Sequence, residues 1–434
     1  MTISSSLSAS VAGLNANAAR LAAISDNIAN SGTYGYKRVV TEFSNMVTAG
    51  NRGAGSYSAG GVRAGTARLV EERGDLIGTS RALDLAIAGR GMLPVMQEVS
   101  LNSGSGGALY MTRTGSFSLD ENGVLKTDGG LVLMGWPADA DGAIPSFPRD
   151  TMAGLEPIMI NPNQAVSNPT TRIGLGINLP ATMTVAGSTA APPPLSIEYF
   201  DNLGISRTLE MTFVPVVPAT GSSNQWGMEI RDSASGNAIV GEFTLTFDAT
   251  SGSGGTLQSV IPVSGGIYDP LTGELSVNVA GGPMSVAVGL LGDINGMTQL
   301  SDTFLPVSIT KNGAPVGSLT SLEVDKNGFV NATYDTGFTR TLYQIPLVDV
   351  PNPNGLTALS NQIYQASPAS GSFFLWDAGS GPTGSVEGYS REGSKTDVAA
   401  ELTALIQTQR AYSSNAKVIQ TVDEMLQETT NIKR

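Results

Sequence analysis

Leu7-Ser-Ala-Ser-Val-Ala-Gly-Leu14-Asn-Ala-Asn-Ala-Ala-Arg-Leu21-Ala-Ala-Ile-Ser-Asp-Asn-Ile28 places a leucine or isoleucine at every seventh residue, with Val11 and Ala18 at companion positions. That spacing keeps one apolar stripe along a helix, the seam pattern of a coiled coil. The far end repeats it: Leu405, Tyr412, Ile419 and Leu426 are seven apart, with Leu402 and Ala416 as companions, while Gln409 and Asp423 interrupt the companion row. From Asp397 onward there is neither Gly nor Pro, Ser394 and Asp397 resemble a capping box, and Lys433 and Arg434 suit the negative end of a helix dipole. The spacing predicts helices over 3–30 and 397–431. Chain ends stay disordered unless docked, so matched heptads at both extremes predict helices that pair with each other and with copies of the chain. The expected assembly seam is Leu7, Val11, Leu14, Leu21 and Ile28, with Leu402, Leu405, Tyr412, Ile419 and Leu426.

The middle has another texture. None of the 23 prolines lies before Pro94 or after Pro382, and most fall between Pro137 and Pro283, so the ends can be helical and the centre cannot. From Leu76 to about Leu375, short β-branched and apolar runs alternate with Gly, Asn and Asp, and Asn-Gly recurs at 122, 312, 327 and 354, which predicts β-hairpins. Leu119-Asp-Glu-Asn-Gly-Val-Leu125 and Val324-Asp-Lys-Asn-Gly-Phe-Val330 are alike enough to predict similar tight turns. Gly/Ser clusters at 103–107, 251–255 and 379–385 read as loop tips or linkers.

Composition narrows function by exclusion. The chain has no Cys and no His among 434 residues, which removes disulfides, thiolate nucleophiles, Cys/His metal sites and imidazole acid–base chemistry. A formal charge of −13 opposes nucleic-acid binding, which needs clustered Lys and Arg. No run approaches a bilayer span, and Arg20 comes too late for the basic start of a secretory signal, so neither membrane insertion nor export by a cleaved signal is expected. Gly89-Arg-Gly91 lacks the third glycine of a dinucleotide loop, and Pro94 opposes the helix that must follow. Asp120, Glu121, Glu323 and Asp325 could supply a glycosidase-type carboxylate pair, but nothing brings them together, and Asp120 and Asp325 precede turns where Asp serves the backbone. No segment has calcium-loop spacing. Trp136, Trp226 and Trp376 read as scattered anchors. No catalytic, cofactor or metal residue is expected, and assembly is the best use of the sequence.

Ser25-Asp-Asn-Ile-Ala-Asn-Ser-Gly-Thr-Tyr-Gly-Tyr-Lys37 resembles the signature of the flagellar rod and hook family, departing from it at Asp26 and Tyr34. Leu83-Asp-Leu-Ala-Ile-Ala-Gly-Arg-Gly91 resembles a second block, though Met92 and Leu93 stand where the family has two phenylalanines. Tyr110-Met-Thr-Arg-Thr-Gly-Ser-Phe117, with one inserted residue, and the segment from Gln407 to Leu426 are similar to two more. Asn27, Asn30, Gly35, Tyr36 and Lys37 are the signature positions carried over. Val307-Ser-Ile-Thr-Lys-Asn-Gly313, with Gly317 and Asp325-Lys-Asn-Gly328, looks like the hook branch.

The resemblance implies a mixed, mainly β fold: nested β domains with paired terminal helices forming a coiled-coil-like inner core. The expected division is a helical core over 1–30 plus 397–434, an extended connector over 31–75 plus 376–396, an inner β domain over 76–145 plus 288–375, and an outer inserted β domain over 146–287. It also implies a homopolymeric helical tube in the extracellular flagellum, type III export of the unfolded subunit, and rod, hook-cap and hook–filament junction proteins as partners. Alternatives are a distal rod or junction protein and, from another class, a secreted β-rich glycan hydrolase.

Overall fold

The computed structural model describes residues 3–46, 59–101, 107–139, 142–162 and 166–432. The Gly/Ser run at 103–106, part of the expected connector at 47–58, and Lys433 and Arg434 lie outside the described residues. The protein is mainly β, with helices at both ends, Ile3–Ala29 and Val398–Ile432. Asp397 is itself the cap of the second helix: its Oδ1 accepts from the Ala399 and Ala400 N–H groups at 2.9 and 3.2 Å. The expected capping box does not form, because Ser394 Oγ accepts from Thr396 N–H instead. The chain divides into two compact units, one of residues 1–162, 321–333 and 339–434, the other of 163–320 and 334–338.

In the first unit, the stretch expected to be an extended connector is a hairpin. Val39–Asn45 pairs antiparallel with Val62–Arg68 along the N-terminal helix, where Gly61 lets the backbone approach Ala9 and Ala12 and Arg20 lies 5.8 Å over the Phe43 ring. The sheet beyond it draws on both halves of the chain. Asp84–Ala88 pairs with Ser385–Glu387, Tyr110–Thr112 with Tyr364–Gln365, and Leu131–Pro137 with Thr339–Gln344. The returning connector is therefore part of the sheet too, and Ser390–Glu392 also pairs with Leu76–Gly78.

The two similar turns match hydrogen bond for hydrogen bond. Asp120 Oδ1 accepts from Asn122 and Val124 N–H, as Asp325 Oδ1 does from Asn327 and Phe329, all at 2.8–2.9 Å. Gly123 and Gly328 take φ of 78° and 80°, and their carbonyls accept from the N–H of Ile160 and Ile345. Both asparagines keep negative φ, so these are turns opened by Asp and closed by a left-handed Gly, not two-residue Asn-Gly hairpins. At 312 the asparagine instead accepts from Thr171 and Arg172 N–H, and Pro353–Gly355 is a 3₁₀ turn.

The second unit is two sheets over one core. Strands Leu195–Phe200, Ser206–Pro215, Gln225–Asp232, Ala238–Phe247 and Leu257–Ser264 form an antiparallel meander. The other sheet centres on Arg172–Leu179, which pairs with Gly282–Ala287 and Leu305–Lys311. Alternation decides the inward faces: Ile173, Leu175, Ile177 and Leu179 are buried between Gly174, Gly176 and Asn178, and Trp226, Met228 and Ile230 alternate with half-buried neighbours. Asp232, fully buried, accepts from the Tyr199 hydroxyl, the Ser235 hydroxyl and the N–H groups of Ala234 and Ala280.

The bounds of this unit correct the expected 146–287. Residues 146–162 belong to the first unit because Phe147 stacks on Trp136, Glu156–Pro157 pairs with Met134–Gly135, and Ile158 and Ile160 are buried there. Residues 288–320 belong to the second because Thr298–Gln299 and Leu305–Lys311 pair with Arg172–Leu179. Proline density marked texture, not pairing.

Candidate assembly interface

The terminal helices pack antiparallel within one chain, since a Cβ on Gly13 would stand 2.8 Å from Asn415 Nδ2 and Asn27 Nδ2 donates to Glu401 Oε1 at 3.0 Å. The buried face of the first helix is made of Ser10, Gly13, Ala16, Asn17, Ala23, Ile24 and Asn27. Small residues there let the partner helix approach, and Asn17 satisfies its amide on the Gly13 carbonyl at 2.8 Å. On the second helix the buried positions are Glu401, Thr408 and Val422, with Leu405, Asn415 and Ile419 half-buried. Periodicity located the helices, but their contact with each other uses a polar, small-residue face that a search for apolar residues passes over.

The expected seam lies beside that face. Leu7, Leu14, Leu21 and Ile28 are half-buried, and so are Leu405 and Ile419. Val11, Leu402, Tyr412 and Leu426 are 41–45% exposed. Val398, Ile406, Val418 and Met425 add further exposed apolar side chains to the second helix.

The signature positions gather where the helices meet the β sheet. Asn27, almost fully buried, accepts from Val39 N–H at 2.8 Å and from the Tyr36 hydroxyl at 3.0 Å, and donates to the Val39 carbonyl at 2.9 Å. Asn30 closes the helix end by donating to the Asp26 carbonyl and carboxylate, both at 2.9 Å. Gly35, at φ 73°, sits where a Cβ would be 2.9 Å from Thr114, and its N–H donates to the Glu392 carbonyl. Tyr36 also donates to Asp26 Oδ2, and burial together with that carboxylate pushes its phenol up to about 12.

Lys37 is buried, and its ammonium reaches Glu392 Oε1 at 2.5 Å and the Glu72 carbonyl. Glu392, equally buried, also accepts from Arg113 Nε at 2.8 Å and Gly74 N–H at 2.8 Å. Arg113 also donates to the carbonyls of Ile87, Gly89 and Gly91. The Gly89-Arg-Gly91 segment, which has some look of a nucleotide loop, thus supplies carbonyls to a buried guanidinium. Burial alone would raise the Glu392 carboxyl, but the Arg113 and Lys37 charges outweigh it and hold the group below the ordinary carboxylate range; burial draws Lys37 down. Sequence reasoning missed Glu392, Glu401 and Arg113 as a set, because Lys37 and Arg113 are 355 and 279 residues from Glu392. The available signal was Arg391-Glu392 between Gly388 and Gly393 in a chain only 14% charged.

Three family models match parts of the chain. The family "Flagella basal body rod protein" matches residues 7–37, "Flagellar basal body protein FlaE D2 domain" matches 168–314, and "Flagellar basal body rod FlgEFG protein C-terminal" matches 386–432. The flagellar hook protein FlgE of Brucella suis is 32% identical over 98% of both chains, and that of Rhizobium meliloti is 32% identical over the whole of both. The Escherichia coli protein of that name is 31% identical over 98% of this chain and 99% of its own. Among solved structures, the Helicobacter pylori flagellar hook protein FlgE2 aligns with TM-score 0.46 and 12% identity over 74% of this chain and 100% of that one. With full-length relatives above 30% identity and the family matches at both helices and in the second unit, the chain belongs to the flagellar hook protein family.

Proposed function

We propose that the chain acts as the structural subunit of the bacterial flagellar hook, polymerising through its terminal helices into a tube that bends while carrying torque from rod to filament. The observation that carries the assembly mode is the exposed apolar row on helices already paired within the chain: Val11, Leu402, Tyr412 and Leu426 remain in water beside a satisfied polar contact. Apolar helix residues left uncovered in a row are what a coiled-coil-like inner core would bury against further copies. The full-length match to hook relatives favours this reading over a shorter distal rod protein. Its partners would be the rod, the hook cap and the hook–filament junction proteins. Export would thread the unfolded chain through the type III apparatus, which the absence of cysteine suits, since no disulfide can form on the way. Electron microscopy of the purified protein under polymerising conditions tests the proposal. Curved tubes are expected; discrete monomers that hydrolyse glycans would overturn it.

A further inference from the structure

Asn122, Asn312, Asn327 and Asn354 each precede a glycine, and in an unfolded chain the four are chemically alike. With no Cβ on the following residue, its main-chain nitrogen can reach the asparagine side chain. Folding makes the four sites unlike. Asn312 has its amide held on both sides: Oδ1 accepts from the Thr171 and Arg172 N–H groups, each at 3.0 Å, and Nδ2 donates to Thr171 Oγ1 at 2.8 Å. Asn354 sits in a 3₁₀ turn with Oδ1 accepting from Glu71 N–H at 3.2 Å, and Gly355 is so close to the Ala369 carbonyl that a Cβ would stand 2.5 Å from it. Asn122 and Asn327 are exposed, and their side-chain amides have no hydrogen-bond partner among the described residues. Only the main chain ties these two turns, where the Gly123 and Gly328 N–H groups donate to the Asp120 and Asp325 carbonyls at 3.0 Å.

We propose that Asn122 and Asn327 are sites of spontaneous deamidation in the folded protein, and that Asn312 and Asn354 are held out of the reaction by their surroundings. In the first step the nitrogen of Gly123 or Gly328 loses its proton to hydroxide and attacks Cγ of the preceding asparagine. The N–Cγ bond forms, the Cγ–Nδ2 bond breaks, and the amide nitrogen leaves as ammonia, carrying a proton returned by water. Water then opens the cyclic imide at either carbonyl. Cleavage at Cγ gives aspartate; cleavage at the main-chain carbonyl gives isoaspartate, in which the chain runs through the former side chain. Nothing is oxidised or reduced. To react, the amide must swing its Cγ toward the glycine nitrogen. At 122 and 327 that breaks one main-chain hydrogen bond. At 312 it breaks three and leaves the Thr171 and Arg172 N–H groups without their acceptor. At 354 it breaks the bond from Glu71 and needs movement where Gly355 has no room. Isoaspartate lengthens the main chain at a turn whose glycine already presses on a neighbouring strand, Gly123 on Ile160 and Gly328 on Ile345, so each conversion loosens that contact as well as adding a carboxylate.

The test uses the full-length, unsubstituted chain, incubated in mildly alkaline buffer well below its melting temperature, with a parallel sample in denaturant. Peptide mapping by mass spectrometry reads the amide-to-acid mass gain at each of the four asparagines over time, and enzymatic methylation of isoaspartate identifies the product that only the imide route gives. In denaturant the four sites should convert at similar rates. In the folded chain Asn122 and Asn327 should convert faster than Asn312 and Asn354 by about tenfold or more, the factor that one or two net hydrogen bonds carry. Similar rates at all four folded sites, or faster conversion at 312 or 354, overturn the assignment. So does a folded chain unreactive at 122 and 327 while the denatured one converts, since the glycine N–H bonds to Asp120 and Asp325 would then be protection enough. Conversion without isoaspartate overturns the imide route. Asn122→Gln with Asn327→Gln should remove the fast phase of ammonia release and leave the folded melting temperature steady through the incubation; a fast phase that persists in this variant places the reactive amides elsewhere.

Discussion

Glu392 is one carboxylate between two buried cations, and its protonation would strand both. Because the folded state holds this group below the ordinary carboxylate range, the unfolded chain takes up the proton first as pH falls. The contribution is therefore complete above the unfolded value, about 4.3, and is lost as pH drops through the lowered folded value. Denaturant midpoints measured from pH 6 to 3 should fall more steeply for the natural chain than for Glu392→Gln; parallel curves would remove Glu392 from the acid response. The two matched turns make a second test. A Cβ on Gly123 would meet the Ile160 carbonyl at 2.3 Å, and one on Gly328 the Ile345 carbonyl at 2.4 Å, both at positive φ. Gly123→Ala and Gly328→Ala should each cost about 1–3 kcal/mol in unfolding free energy, and by similar amounts. A neutral result at either would mean the turn relaxes freely. These turns were legible in the sequence because Asp, Asn and Gly act on their own neighbours. The Glu392 cluster was not, because nothing local in Arg391-Glu392-Gly393 says which cations, hundreds of residues away, will surround it.

An element carries more information in its period than in its face. The seven-residue repeat placed both helices to within a residue or two, yet the face they share inside the chain is Gly13 and Asn27 against Asn415 and Glu401. Polar residues on a buried face read as solvent-facing until their partners are known. The hairpin at 39–68 was illegible for a related reason: its strands are half-buried to exposed and lack the alternation that marks a covered strand. Gly13 is a mid-helix glycine, which by propensity costs about 0.5–1 kcal/mol relative to Ala, so Asn415 crowding must be what the position accommodates. Gly13→Ala alone should gain little or lose stability, while Gly13→Ala with Asn415→Ala should recover the propensity gain. A double-mutant cycle with no coupling would refute the close approach. Leu402→Asp acts on the other face. Leu402 is 45% exposed, so monomer stability should change by no more than about 0.5 kcal/mol, while the critical concentration for polymerisation rises. Each ~1.4 kcal/mol lost per subunit contact is one decade in that concentration. Unchanged polymerisation by sedimentation would exclude this face from assembly.

At the scale of the molecule, two separate cores imply two separable folding events. The second unit encloses its own apolar cluster, with Trp226, Phe213, Phe243 and Leu245 wholly buried, and its strand pairing closes within residues 166–317. Its one tryptophan is Trp226, whereas Trp136 and Trp376 lie in the first unit, so fluorescence distinguishes the units. The mainly β middle and helical ends were legible from proline placement, but the unit bounds were not, because a bound is set by which strands pair and Leu305–Lys311 finds Arg172–Leu179 across more than a hundred residues. Residues 166–320 produced alone should therefore fold cooperatively, with Trp226 emission blue-shifted and its indole N–H bonded to Gln299 Oε1 as in the full chain. The complementary variant replaces 163–320 with a short Gly/Ser bridge. Loop-closure cost grows only slowly with length, so the bridge needs to span the gap, not match a native turn. The remaining chain keeps the sheet, the Glu392 cluster and both helices, since the strand pairs and ion pairs described for them lie within the first unit. It should melt as one transition and, with the helix faces intact, still form tubes, thinner in projection than those of the full chain. A well-folded variant that makes no polymer would place essential subunit contacts in the second unit and not in the helices. An unfolded one would show that the first unit's core depends on the segment removed.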